Sequence, residues 1–152
     1  MTYETTADQY SAVRLKNQLC FPLYACAKEV VRLYRKPLDK LGLTYTQYIV
    51  MMVFWEHGGM TEKELEAIVH LDSGTLTPLL KRLEKQGLVT RTRPPDSENR
   101  LYISLTEQGK QLEEKALSVP AQVAGCIRLP QEDMVSLKTL LDKMMAAMEE
   151  TP

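Results

Sequence analysis

The stretch Leu71-Asp72-Ser73-Gly74-Thr75-Leu76-Thr77-Pro78-Leu79-Leu80-Lys81-Arg82-Leu83-Glu84-Lys85-Gln86-Gly87 decides how the chain is read. Leu76, Leu79, Leu80 and Leu83 recur at helical spacing and predict an amphipathic helix from about Thr75, with Gly87 stopping it. Pro78 lacks an amide hydrogen, so it fits that helix only in or near the first turn. The opposite face carries Thr75, Thr77, Lys81, Arg82 and Lys85, with Ser73 at its start. Upstream, Thr61 and Glu64 have the spacing of a capping box for a short helix whose inner face is Leu65, Ile68 and Val69, and Leu71 to Gly74 form the turn between the two helices. Downstream, Leu88 to Arg93 and Leu101 to Leu105 are strand candidates joined by the turn-rich Pro94-Pro95-Asp96-Ser97-Glu98-Asn99. Two helices across a tight turn, then a β-hairpin, is the order of a winged helix-turn-helix, here spanning 61–105.

On either side lie helical arms, 17–57 and 106–150, giving one domain over 1–152 that is mainly α with a small β-hairpin wing. Leu19, Leu23, Ala27, Val30, Val31 and Tyr34 predict a first helix from Asn17, a good capping residue, to Arg35, with Pro22 near its start. After the break at Leu41-Gly42-Leu43, Thr44 to His57 reads as a second helix buried by Tyr48, Ile49, Met51, Met52, Val53 and Trp55, ended by Gly58 and Gly59. Thr106 caps a helix to about Val119, Pro120 interrupts it, and Glu132 to Met148 forms the last, with Met134, Leu137, Leu140, Leu141, Met144 and Met148 as its stripe. So small a core cannot bury the stripes of both arms, which therefore call for each other and for a second copy of the chain.

Composition narrows the class. With 152 residues and 44% hydrophobic content the chain can fill a core. The longest apolar run, Ile49 to Trp55, is far short of the roughly 20 residues a bilayer crossing needs, and the first residues lack the features of a signal peptide, so a cytoplasmic protein without membrane contact is expected. Three scattered cysteines, Cys20, Cys26 and Cys126, suit neither a disulfide framework nor a zinc site. His57 and His70 stand isolated, so no metal and no cofactor is expected. The net charge of −1 gives no global signal for nucleic acid, yet charge is segregated. Lys81, Arg82, Lys85, Arg91, Arg93 and Arg100 face only Glu84, Asp96 and Glu98 within the winged segment, whereas Glu113, Glu114, Glu149 and Glu150 lie beyond it.

The run Leu71 to Glu84, continued by Gly87-Leu88-Val89 and by Ile103-Ser104-Leu105-Thr106-Glu107-Gln108-Gly109, resembles the MarR family of transcription regulators over nearly the whole chain. Asn17-Gln18-Leu19-Cys20-Phe21, the Thr-Tyr-x-Gln-Tyr motif ending at Tyr48, and Trp55-Glu56-His57 are similar to its organic-hydroperoxide-sensing branch. The resemblance implies a homodimeric repressor, not an enzyme. Its second motif helix enters the major groove of a pseudo-palindromic operator, and its wing lies along the backbone or minor groove. Ser73, Thr75, Thr77, Lys81 and Arg82 on the helix, with Arg91, Arg93, Asn99 and Arg100 on the wing, are the expected contacts. The wing departs from the family's Asp-x-Arg tip: Ser97-Glu98-Asn99 stands there, with Asp96 and Arg100 as the shifted substitutes.

Cys20 falls in the first turn of the first helix, where the helix dipole and hydroxyl donors can lower a thiol pKa, and Tyr24 is one turn along. Phe21, Tyr24 and Tyr48 offer an apolar lining suited to an organic peroxide. The resemblance implies that Tyr34 and Tyr45, possible contributions from a partner subunit, support this sensor. It also implies that Cys126 is a resolving cysteine, forming a disulfide between subunits after Cys20 is oxidised to a sulfenic acid. Cys126 as a bystander, with a small thiol capping Cys20, stays open, and Cys26 reads as an inert packed residue. Two competing functions remain: a regulator switched by a small aromatic ligand between arms and core, and a thiol peroxidase on the same frame, for which the basic helix face has no use.

Overall fold

A computed structural model describes residues 10–96 and 100–149. Its elements are α1 (Cys20–Asp39), α2 (Tyr45–His57), β1 (Gly59–Thr61), α3 (Glu62–Val69), α4 (Ser73–Lys85), β2 (Val89–Thr92), β3 (Tyr102–Leu105), α5 (Glu107–Ala116), α6 (Val119–Ala124) and α7 (Gln131–Glu149). The architecture is mostly helical with one antiparallel sheet in the order β1-β3-β2.

The centre is α2, which packs against α1, α3, α5 and the sheet. Thr44 starts it with a full capping box: its hydroxyl accepts from the Gln47 amide, and its own amide donates to Gln47 Oε1 at 2.9 Å. Tyr48, Val50, Met51, Val53 and Phe54 are buried, so the helix is covered on most sides. Val50 and Phe54 belong to the core, whereas Met52, expected there, is exposed. The Trp55 indole donates to the Gly109 carbonyl at 2.9 Å and ties α2 to α5.

The motif itself forms as expected, with local differences. Thr61 and Glu64 close the capping box of α3, but Ile68 points to solvent and Leu65 alone is buried there. In α4 the four leucines are buried in one cluster with Phe54, Met51 and Val89. Asp72 caps this helix by accepting from the Thr75 amide at 2.9 Å, so α4 begins at Ser73 and Ser73 lies in its first turn. Pro78 is therefore the sixth helical residue, past the first turn, and it leaves the carbonyl of exposed Gly74 without a helical partner. At the other end Gly87 (φ 75°) donates to the Glu84 carbonyl and Leu88 to that of Leu83, a Schellman closure that turns the chain into β2.

Strand β2 pairs with β3 from Val89 opposite Leu105 to Thr92 opposite Tyr102. Strand β1 was not anticipated: Gly58 and Gly59 read as a stop, yet Gly59 to Thr61 pair with Ser104 to Tyr102. Three residues are too few to show an alternating pattern. Gly59 is needed because a Cβ there would sit 2.8 Å from the Ile103 carbonyl oxygen.

The arms differ more. Asn17 does not cap α1; its side chain donates to the carbonyl and hydroxyl of Ser11, and the helix begins at Cys20 after an uncapped Leu19. At its far end α1 continues through Pro37 to Asp39, where Leu38 is buried and its carbonyl accepts from Leu41 and Leu43. Thr106 caps α5 as expected, but the helix ends at Ala116, and Pro120 opens the short α6, where its missing amide costs nothing. No described residue of α7 is buried: Leu137, Leu140 and Met148 face solvent, as do Val13, Leu15, Leu19, Phe21 and Tyr24 at the other arm.

Gly109 tests how tightly arm and core fit. A Cβ there would lie 2.1 Å from the Leu88 carbonyl oxygen. Gly109→Ala should lower the urea unfolding free energy by about 3 kcal/mol. Gly125→Ala, whose nearest neighbour would be 3.4 Å away, should leave the midpoint nearly unchanged.

Candidate nucleic-acid interface and thiol centre

An open groove of about 1070 Å³ runs between α3, the outer face of α4 and the wing. Ser73, Thr77, Lys81, Arg91, Arg93 and Arg100 all line it, bringing together six of the nine residues singled out from the sequence. Thr75 and Arg82 are exposed on α4 outside that lining. Asn99, with Ser97 and Glu98, lies outside the described residues. The leucine spine explains the arrangement. Once Leu76, Leu79, Leu80 and Leu83 face the core, the residues between them have only the groove and solvent to face.

Acidic residues that the sequence reading did not single out organise this face. Glu84 holds Arg91: its carboxylate accepts from Arg91 Nε at 2.9 Å and from the Arg91 amide at 3.2 Å, with the guanidinium mostly covered. Arg91 is thus a brace between β2 and α4, while Arg93 and Arg100 are exposed. Glu62, in the first turn of α3, accepts a 2.6 Å hydrogen bond from the Thr77 hydroxyl. Glu64 accepts from Thr61, and those hydrogen bonds, helped by the charge of Arg100, hold its carboxyl below the usual carboxylate range. Glu62 and Glu84 carry no motif of their own. Only proximity in the fold reveals their roles.

All three cysteines are free and exposed. Cys20 is the first residue of α1, as expected, and Cys26 is exposed on the same helix rather than packed inside. Cys126 follows α6, its thiol donating to the Gln122 carbonyl at 3.4 Å. Tyr34 meets Tyr45 at 5.0 Å between ring centroids and Tyr48 at 5.8 Å, and Tyr48 stands edge-on to Trp55 at 6.1 Å. Burial pushes the Tyr34 and Tyr48 phenols above 10, and the neighbouring phenols add to it. Tyr24 is exposed and lies 5.1 Å below the Lys28 ammonium. On one straight helix, Tyr34 is about 21 Å from Cys20 at 1.5 Å per residue. One chain therefore does not bring the thiol and these phenols together.

Fold and groove define a winged-helix DNA-binding regulator with exposed thiols on its helical arms. Residues 32–116 match the family described as Transcriptional regulator SarA/Rot, and the chain belongs to this family of MarR-like regulators. It is 42% identical over 143 residues to the organic hydroperoxide resistance transcriptional regulator of Bacillus subtilis strain 168, across 94% of this chain and 97% of that protein. Among solved structures it is similar to AbfR of Staphylococcus epidermidis. Reduced AbfR bound to DNA matches with a TM-score of 0.75 at 34% identity, over 93% of this chain and 99% of that one. Overoxidized AbfR bound to DNA matches at 0.73 and 34%, over 91% and 98%. Disulfide-formed AbfR matches at 0.62 and 31%, over 95% and 96%. These relationships make the chain a redox-sensing DNA-binding repressor. Among the described residues no helix is long and apolar enough to cross a membrane.

The tyrosine cluster predicts an alkaline signature. Raised phenol pKa values mean that the fold favours the neutral ring, so this stability is complete below pH 10 and is lost as pH climbs through the folded values. Urea midpoints should fall above about pH 10, and Tyr34→Phe with Tyr48→Phe should flatten that fall.

Proposed function

We propose that the groove between α3, α4 and the wing is the surface that takes the operator, and that Cys20 is the thiol whose oxidation releases it. The observation that carries the first half is the gathering of Ser73, Thr77, Lys81, Arg93 and Arg100 on one concave face. Thr75 and Arg82 extend that face along α4, Arg91 acts through the position of β2, and Asn99 remains an expected wing contact. The uncovered apolar stripes of α7 and the first arm support a homodimer, which presents two such faces to a pseudo-palindromic site. A transcription regulator without catalytic turnover, working in the reducing cytoplasm, is the corresponding role.

The thiol chemistry follows from placement. Cys20 is exposed at the start of a 20-residue helix, where unpaired amides favour a thiolate. The oxidant is an organic hydroperoxide, the class named for the Bacillus relative. The Cys20 sulfur attacks the outer peroxide oxygen, the O–O bond breaks, and the alcohol departs with a proton, leaving a sulfenic acid. The thiol of Cys126 of the partner subunit then attacks that sulfur, forming the S–S bond as water leaves. Since Tyr34 and Tyr45 are too far along α1 to serve their own Cys20, they serve that of the other protomer, and Tyr24 lines the same site. AbfR has been solved on DNA both reduced and overoxidized, and separately with its disulfide formed. By that pattern the crosslink, rather than oxygen on sulfur, moves the recognition helices.

A second reading has its own observation. A cavity of about 380 Å³ between arm and core is lined by Lys40, Leu41, Gln86, Leu88, Gln111, Leu112 and Lys115, a size and mixture that fit a small aromatic carboxylate. Release of DNA by such compounds from a protein lacking all three cysteines would favour it.

Two experiments separate the parts. Lys81→Glu with Arg82→Glu should weaken operator binding at least about 100-fold in 0.1 M salt and make log K against log salt shallower by about 2; unchanged affinity refutes the DNA face. Cumene hydroperoxide should release DNA from the native protein and not from Cys20→Ser. Non-reducing mass spectrometry should find a Cys20 to Cys126 crosslink between chains; release that persists in Cys20→Ser refutes the sensor.

A further inference from the structure

The Thr77 hydroxyl and the Glu62 carboxylate lie side by side in the groove, 2.6 Å apart, with the hydroxyl as donor. An ionised carboxylate only accepts hydrogen bonds, so the one proton of the hydroxyl is committed to Glu62. What Thr77 still offers is a lone pair and a methyl group. The second carboxylate oxygen of Glu62 is likewise an acceptor. The pair is therefore an acceptor-only spot within a face otherwise rich in donors, with Lys81 one turn further along α4.

In the major groove the four bases differ at this point. Adenine N6 and cytosine N4 present an amine, whereas guanine O6 and thymine O4 present an acceptor. An acceptor-only pair bonds the amines and repels the carbonyls, since the hydroxyl cannot turn its proton toward a carbonyl without breaking the 2.6 Å bond to Glu62. We propose that Thr77, positioned by Glu62, determines specificity by selecting an exocyclic amine at one position of each half-site. Glu62 acts by fixing the direction of the Thr77 proton, and Thr77 is the residue that meets the base. This rests on the reading of the groove as the DNA face.

The test uses the whole protein and an operator selected from a random duplex pool, with every base pair of a half-site then varied singly. The native protein should prefer adenine or cytosine over guanine and thymine by about tenfold at one position, and the substitution series shows which amine it takes. Thr77→Val, which keeps the shape and removes the acceptor, should cut that preference to below about twofold while leaving other positions and the salt slope unchanged. Thr77→Ser should retain the preference. Glu62→Gln should shift it toward guanine or thymine, because the new amide lets the hydroxyl donate outward; a structural role for Glu62 would weaken all sequences alike. An unaltered base profile in both Thr77→Val and Glu62→Gln overturns the proposal while the groove remains the DNA face. If the Lys81 and Arg82 reversal also leaves affinity unchanged, the groove assignment itself has failed.

Discussion

The burial of four leucines on one side of α4 is the constraint from which the rest of the structure follows. With Leu76, Leu79, Leu80 and Leu83 locked in a single cluster with the apolar residues of α2 and the sheet, the helix cannot rotate about its axis without exposing them. Its hydroxyl and cationic residues are thereby fixed in direction, even though no partner holds them. The Schellman turn at Gly87 and the Asp72 cap set where the helix ends, so the wing begins at a fixed distance from the recognition face. A surface that recognises another molecule is here positioned by side chains that never touch it.

How far the sequence revealed this depends on the range of the interactions involved. The four-leucine spacing, the two Thr-x-x-Glu/Gln caps and the turn-rich wing are local, and the corresponding elements appear within a few residues of their expected bounds. Ser73, Thr77, Lys81, Arg93 and Arg100 were legible as a group for the same reason, since one helical period and one hairpin bring them together. Arg91 was legible as a cation but not as a brace, because its partner Glu84 lies on another element and only the strand register brings the two into contact. Strand β1 was hidden because its signal is a glycine pair that also ends a helix. Asn17 misled because a good capping residue can satisfy its side chain elsewhere, here on Ser11. Pro37 and Pro120 show that a proline marks a missing amide rather than a boundary: one sits in a last turn, the other in a first.

The arms carry a different lesson. Their apolar stripes were legible, yet in one chain they remain uncovered, and the thiol at the start of α1 lies a helix length away from the phenols near its end. Such an element has opposite requirements at its two ends, an exposed reactive group at one and a buried aromatic cluster at the other. Both are met when two copies lie antiparallel, which makes the assembly rather than the protomer the smallest unit with complete chemistry.

The Glu84–Arg91 brace joins wing and recognition helix into a single stiff jaw. A signal arriving through the arms then has little scope to reshape the jaw, and works by changing the gap between two jaws on a rigid, periodic ruler. The leverage is considerable. An arm of 20 residues is about 30 Å long, so a tilt of about 7° carries its end about 3.5 Å, one base-pair step along the duplex. A regulator built this way can be turned off by a movement smaller than a hydrogen bond at its hinge, because DNA geometry tolerates no misfit of a whole step at both ends at once.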